Sequence, residues 1–375
     1  MKKIAVLGAG LVGAAVARDL ATAFDVTAVD RRAEDLGPTF AGTAVKVKAA
    51  DLSDADILRS VVAPFDLVVG ALPGHLGYEA LSAVIDAGKD VVDIAFFPED
   101  PFGLDERARE RGVTAVVDFG VAPGMCHVLL GHHVATMDAV HRFECLVGGL
   151  PVERRWPFEY KAPFSPADVL EEYTRPARYV EHGQLVERPA LTDPERIEVE
   201  GIGTLESLNT DGLRTLLETM QVPNMKEKTL RYPGHGRLME ALREGGFFST
   251  EPVTVGDTSV RPLDVTSALL FPQWTLRPGE QEFTVMRVTV EGSTAGRDER
   301  VVWELLDRGD PATGDTSMAR TTGYACTACV HLVAQGLYER PGISPPEFVA
   351  ADAERFAFLL AYQRERGVIY DRRGS

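Results

Sequence analysis

The first 120 residues alternate between short apolar runs and longer stretches whose apolar residues recur every three or four positions. "KKIAVLG" has the pattern of a buried strand that stops at glycine, and "LVGAAVARDLATAF" has the spacing of a helix built from small residues. "DVTAVD", "VKVKAADLSD", "FDLVVGALPG", "KDVVDIAF" and "VTAVVDFG" repeat the strand pattern, with helical stretches such as "GYEALSAVIDAG" and "FGLDERARERG" between them. Strands that alternate with helices predict a parallel, doubly wound α/β sheet that places its ligand beyond the carboxyl ends of the strands.

After "GVAPGMCHVLLGHHVA", a helix begun by a Pro-Gly turn, the pattern changes. "AVHRFECLVGGLP", "FTVMRVTVEG" and "ERVVWELLDRG" alternate like strands of a sheet open on one face. Two helices are expected among them, "SPADVLEEYT" and "DGLRTLLETM", each with an early Ser or Asp suited to capping its free N–H groups. The closing "SMARTTGYACTACVHLVAQGLY" predicts a helix of small residues that returns to the first domain. The expected division is a first domain over residues 1–124, completed by 317–375, and a second α+β domain over 125–316.

Gly8, Gly10 and Gly13, with Leu11 and Val12 between the last two, form G-x-G-x-x-G at the first strand-to-helix junction. The first glycine permits the tight turn, the second lets backbone approach a pyrophosphate, and the third lets helix and strand pack closely. A second strand ends at Asp30, roughly 20 residues on, as a Rossmann-type dinucleotide site requires. Asp30 suits the ribose 2′-hydroxyl of NAD and repels the extra phosphate of NADP, while Arg31 and Arg32 soften that repulsion. NAD is therefore the expected cofactor, with NADP possible. Asp51 and the run Ala71, Leu72, Pro73 fall at other strand ends, where they could flank the adenine and line the dinucleotide. Asp93 and Asp118 also end strands, where they could face substrate.

A net charge of −17 over 375 residues argues against nucleic acid or an anionic membrane as partner. Four cysteines are too few for a disulfide scaffold of this size and fit a reducing cytoplasm. The basic and apolar N-terminus superficially suits a secretory leader, but the same residues fit the nucleotide-binding unit position by position. Cys326 and Cys329 form C-x-x-C without a second pair, and adjacent His132 and His133 point different ways on a helix, so no metal is expected. No G-x-S-x-G nucleophile elbow occurs.

"VVDFGVAPGM", "VGGLP", "WPFEYKAPFSPADVLEEYTRPA", "DGLRTLLET" and "EKTLRYPGH" follow "VLGAGLVG" in that order. Together they resemble the saccharopine dehydrogenase-like superfamily and, within it, most nearly the L-lysine 6-dehydrogenases. The resemblance implies an NAD(P)-dependent oxidoreductase with a split Rossmann domain, a second domain for substrate binding and dimerisation, and a cytoplasmic homodimer. Its lysine branch oxidises the ε-carbon of lysine to allysine, which cyclises, and ammonia. Saccharopine reductases commonly carry an acidic residue in an "LDPG"-type turn where this chain has Val121-Ala122-Pro123-Gly124, a departure that favours the lysine branch.

Hydride loss from a carbon bearing nitrogen requires a neutral amine, although an unperturbed lysine-type amine has a pKa of about 10.4. Asp118 and His235 are the candidate proton handlers. Arg231, in "TLRYPGH", is the candidate clamp for the α-carboxylate, since its planar fork offers two parallel hydrogen bonds. Tyr160 and Lys161 could line the same site. Asp211 is suited to the α-ammonium but fits a helix cap better. Two competing readings are imine reduction, as in saccharopine or carboxynorspermidine synthesis, and a dinucleotide-binding protein without turnover.

Overall fold

The computed structural model describes residues 1–277 and 279–373, and the chain divides into two compact units. The first comprises Met1–Met137 and Met318–Tyr370, and the second takes up Asp138–Ser317 with the last strand, Asp371–Arg373. The helix Met125–Thr136, expected in the second domain, lies in the first unit, so the chain crosses over only at residue 138.

Six strands of the first unit follow the sequence pattern: β1 (Lys3–Leu7), β2 (Asp25–Asp30), β3 (Lys46–Ala49), β4 (Leu67–Gly70), β5 (Asp90–Asp93) and β6 (Thr114–Val116). A seventh, Gly342–Ser344, comes from the returning segment and pairs with β6. Every pairing is parallel, and the spatial order is seventh strand, β6, β5, β4, β1, β2, β3. Chain order therefore reverses between β1 and β4, which is where such sheets hold their ligands. Ile4, Ala5, Val6 and Leu7 are buried, as are Leu67, Val68 and Val69, because crossover helices cover the central strands. α1 (Leu11–Leu20) is packed by Ala14, Ala15, Val16 and Ala17.

The returning helices belong to this unit. Gly323, in the helix Ser317–Ala334, leaves room for Val16 and the Val12 carbonyl of α1. In the helix Ala353–Glu365 and just beyond it, Tyr362 and Arg366 both bond the Asp19 carboxylate at 2.7 Å. Cys326 and Cys329 are fully buried, and burial pushes both thiols well above their usual range. That makes them packing groups, inert at neutral pH.

The second unit is built on a mixed nine-stranded sheet. Its spine is three long strands, Ala139–Pro151, Glu282–Thr294 and Arg297–Arg308, paired antiparallel in that spatial order. The strand Met225–Arg231 runs parallel to the first of them. Three helices, Pro166–Thr174, His235–Glu244 and Pro262–Trp274, pack a separate core around Tyr160, Tyr173, Leu208, Met239, Leu270 and Trp274. Ser165 caps the first of these, accepting a hydrogen bond from the Asp168 N–H at 3.4 Å. The helix expected over "DGLRTLLETM" shrinks to the single turn Leu216–Thr219, preceded by Arg214 in the left-handed region at φ 48°. Among the described residues no helix is long and apolar enough to cross a membrane.

Candidate active site

The glycine turn after β1 shows three separate uses of a missing side chain. Gly8 sits at φ +92°, and a Cβ there would lie 2.4 Å from the Ala71 carbonyl oxygen at the end of β4. A Cβ on Gly13 would lie 2.1 Å from the Gly8 carbonyl oxygen, so α1 could not pack against the turn. At Gly10, the N-cap of α1, a Cβ would meet nothing within 4 Å. No protein atom requires glycine there, and the open space lies at the helix N-terminus, where backbone N–H groups favour an anion. Leu11 and Val12 form the first turn of α1, and Leu72 and Pro73 continue from Ala71 into the next helix.

Asp30 ends β2 and accepts hydrogen bonds from the Ala9 N–H at 3.0 Å and the Arg32 N–H at 2.9 Å. Burial works against its charge, but those backbone donors hold its carboxyl below the usual value. An ionised carboxylate is thus built into the turn at the place where a ribose would lie. The Arg32 guanidinium stands 3.7 Å from it. Asp51 is bonded to the Ser53 hydroxyl and N–H, which lower its carboxyl, with the charge of Arg31 adding to the effect.

In the second unit "TLRYPGH" is a strand end, a turn and a helix start. Thr229 to Arg231 close the strand Met225–Arg231, Gly234 adopts φ +98°, and His235 begins the helix His235–Glu244. Arg231 is only 2% exposed. Its Nε donates to the Tyr173 hydroxyl at 2.6 Å, its Nη1 to the Thr229 hydroxyl and the Leu230 carbonyl, and its Nη2 to Glu172 Oε2 at 2.9 Å. Burial opposes the charge, but Tyr173 and Glu172 more than offset it and the guanidinium stays protonated. Tyr160 stacks on it, with the guanidinium carbon 4.8 Å from the ring centre.

The network continues to His235. Its Nδ1 lies 2.8 Å from the Phe158 carbonyl oxygen and its Nε2 3.0 Å from the Tyr173 hydroxyl. A carbonyl can only accept, so the proton is on Nδ1 and Nε2 accepts from Tyr173. Burial, then the nearby Arg231 charge, lowers the imidazole to about 3. His235 is therefore a neutral link at physiological pH, with both ring nitrogens engaged within the lobe. Its geometry suits it to orienting Tyr173.

Other expected site residues are placed as follows. Both Asp211 oxygens bond Arg178 at 2.9 Å, so this carboxylate forms an ion pair within the lobe and does not cap the turn at Leu216. Lys161 Nζ is engaged by the Thr275 carbonyl at 3.0 Å and by Glu280 at 3.3 Å, so its charge is spent within the lobe. Asp93, 2% exposed, accepts the Ala95 N–H at 2.7 Å and lies against Gly70, where a Cβ would collide with it. Asp118 is equally buried and has left-handed backbone, φ 55°, a conformation Asp tolerates better than most residues. Glu172, Tyr173 and Trp274 were not singled out from sequence. The only signal was local: Glu172 and Tyr173 sit on a well-marked helix, and nothing along the chain shows that it packs on residue 231.

A Rossmann unit with a formed dinucleotide cradle, joined to an α+β lobe holding a buried arginine, defines a two-lobed nicotinamide-dependent oxidoreductase. The chain belongs to the saccharopine dehydrogenase family: residues 4–116 match the saccharopine dehydrogenase NADP binding domain and residues 120–368 the saccharopine dehydrogenase C-terminal domain. It is 24% identical to the saccharopine dehydrogenase [NADP(+), L-glutamate-forming] of Schizosaccharomyces pombe, over 80% of this chain and 83% of that protein. It is 23% identical to the carboxynorspermidine synthase of Vibrio cholerae, over 80% of this chain and 76% of that one. Of the alpha-aminoadipic semialdehyde synthase of Arabidopsis thaliana it covers 22%. The fold matches apo saccharopine dehydrogenase (L-Glu forming) from Saccharomyces cerevisiae with a TM-score of 0.80, at 19% identity and 100% coverage of both chains.

Proposed function

We propose that this family member is an NAD(P)-dependent oxidoreductase that removes hydride from an amine-bearing carbon of a small amino acid, and that its substrate is the ε-amine of L-lysine. The products would be allysine, which cyclises, and ammonia. One observation carries the choice of substrate: four buried or part-buried cations of the second lobe have a carboxylate partner. Arg231 pairs with Glu172, Arg178 with Asp211, Lys161 with Glu280 and Lys228 with Glu195. A substrate bearing several carboxylates would need uncompensated cations, or would have to break several of these pairs at a cost of a few kcal/mol each. A substrate with a single carboxylate and its own ammonium adds no net charge to such a lobe.

Gly8, Gly10 and Gly13 would seat the pyrophosphate and Asp30 the ribose, and the bound nicotinamide supplies the hydride acceptor. The rest falls to the protein's own groups. An amine with a pKa of about 10.4 must lose its proton before it reacts. With His235 neutral and engaged, Asp118 is the remaining candidate to accept that proton on a carboxylate oxygen. Arg231 would bind the α-carboxylate through the part of its fork that faces Glu172. Water then adds to the imine carbon and ammonia leaves.

A panel of amino acids and diamines assayed for NAD and NADP reduction tests this, with product trapped as the cyclic imine. Reduction with lysine and none with saccharopine supports the proposal; the reverse result sinks it. The second reading is imine reduction, which the similarity to saccharopine dehydrogenases and a carboxynorspermidine synthase favours. It predicts cofactor oxidation when an aldehyde is supplied with a second amine but not with ammonia.

A further inference from the structure

The Arg231–Glu172 pair has one unused valence on each side. Glu172 holds Arg231 through Oε2 alone, and Oε1 makes no hydrogen bond among the described residues. An arginine has five N–H donors. The bonds of Arg231 to Tyr173, Thr229, Leu230 and Glu172 take four of them and leave one on Nη2. Two neighbouring groups are also incomplete. The Tyr160 hydroxyl and the Trp274 indole N–H are buried and have no hydrogen-bond partner among the described residues. Tyr160 and Trp274 are themselves packed together, their ring centres 5.3 Å apart. A buried polar group without a partner costs about 1–3 kcal/mol, so a cluster of them marks a place where something else bonds.

The missing partner can be deduced from the atoms. The unused groups are three donors (Nη2–H, the Tyr160 O–H and the Trp274 N–H) and one anionic acceptor (Glu172 Oε1). Inorganic anions would satisfy the donors but would be repelled by Glu172, and a simple amine would do the opposite. A molecule with a carboxylate and an ammonium two bonds apart satisfies both. Exposure gives the direction of approach: the Glu172 side chain is 18% exposed and that of Arg231 3%, so the acceptor is met first.

We propose that Glu172 and Arg231 act together as a receptor for the zwitterionic head of an α-amino acid, with Glu172 taking the α-ammonium and Arg231 the α-carboxylate. Glu172 is then a specificity residue that favours α-amino acids over ω-amino acids, while the unmatched donors around Arg231 disfavour simple amines that lack a carboxylate. This rests on the amino-acid reading above but not on which carbon is oxidised.

The test is direct binding, read by calorimetry on the full chain with dinucleotide present. Lysine is compared with cadaverine, which lacks the carboxylate, and with 6-aminohexanoate, which lacks the α-ammonium. The wild type should bind lysine at least about tenfold more tightly than either analogue, as expected for losing one charged hydrogen bond. Glu172→Gln should bring lysine and 6-aminohexanoate to within about threefold while keeping the preference over cadaverine. Equal binding of all three by the wild type overturns the receptor, and so does a Glu172→Gln variant that weakens lysine and 6-aminohexanoate alike. Because the wild-type comparison needs no variant, a misfolded Glu172→Gln leaves the test intact. If head-group preference appears with a longer α-amino acid while lysine is neither bound nor oxidised, the receptor stands and the lysine assignment fails.

Discussion

The glycine turn after β1 and the cluster around Arg231 both prepare a place for charge, one by leaving side chains out and the other by packing them in. At Gly8, Gly10 and Gly13 the ligand would be met by backbone N–H groups and a helix end, within a few consecutive residues. At Arg231 the charge is held by groups from Phe158 to His235, gathered from four segments of one lobe. Backbone cradles suit a ligand shared by many enzymes. Side-chain networks suit one that must be told apart from close analogues, because their unmatched donors and acceptors penalise the wrong partner.

That contrast can be broken most forcefully at the turn. Gly13→Ala should abolish detectable dinucleotide binding, a loss of at least about 100-fold in a fluorescence titration, because the helix must move off the turn. Gly10→Ala should leave the melting temperature unchanged and still weaken binding by about tenfold or more, since its Cβ obstructs only the ligand. Equal effects of both variants on stability would show that the open space at Gly10 has no special role.

The second lobe should respond through stability and pH. Arg231→Met leaves Glu172, Tyr173 and Thr229 without their shared donor and should cost about 3–5 kcal/mol in urea unfolding. Arg231→Lys should raise KM for the amino acid with a smaller effect on cofactor affinity, and an unchanged KM would remove the clamp. His235 gives a signed prediction. Its folded value is lowered to about 3, below the ordinary 6.5, so the unfolded chain binds the extra proton first as pH falls. The stability that neutral His235 contributes is complete above about pH 6.5 and is lost below it, at up to about 1.4 kcal/mol per pH unit. The gap between wild type and His235→Gln in urea midpoint should therefore narrow from pH 7 to pH 4, and parallel curves would contradict the buried neutral imidazole. The smallest effect is expected at Asp30: Asp30→Ala should narrow the preference for NAD over NADP by about tenfold in kcat/KM, with an unaltered ratio counting against it.

What could be read in advance follows the same division. The strand, glycine turn, helix and second strand of residues 3–30 are contiguous, so periodicity and spacing sufficed. The long strands at 139–151, 282–294 and 297–308 were equally plain, because alternation over many residues leaves little choice. Asp211 misled because an acidic residue before a helical pattern usually caps it, whereas here Arg178, distant along the chain, takes both oxygens. At His235 the residue type suits proton transfer, and only the folded surroundings show that burial beside a cation lowers its basicity. Glu172 and Trp274 went unnoticed since neither belongs to a motif and their significance lies in what surrounds them after folding.

The seventh strand of the nucleotide-binding sheet, Gly342–Ser344, is supplied by a segment synthesised after all of the second lobe except its last strand, Asp371–Arg373. On the ribosome, then, the sheet that starts first is closed only after most of the second lobe has been made. A nascent chain halted at residue 317 would carry most of the second lobe and an unclosed sheet edge at β6. Such an edge invites pairing with other chains, so translation speed through the last sixty or so residues sets how long each molecule is exposed to aggregation.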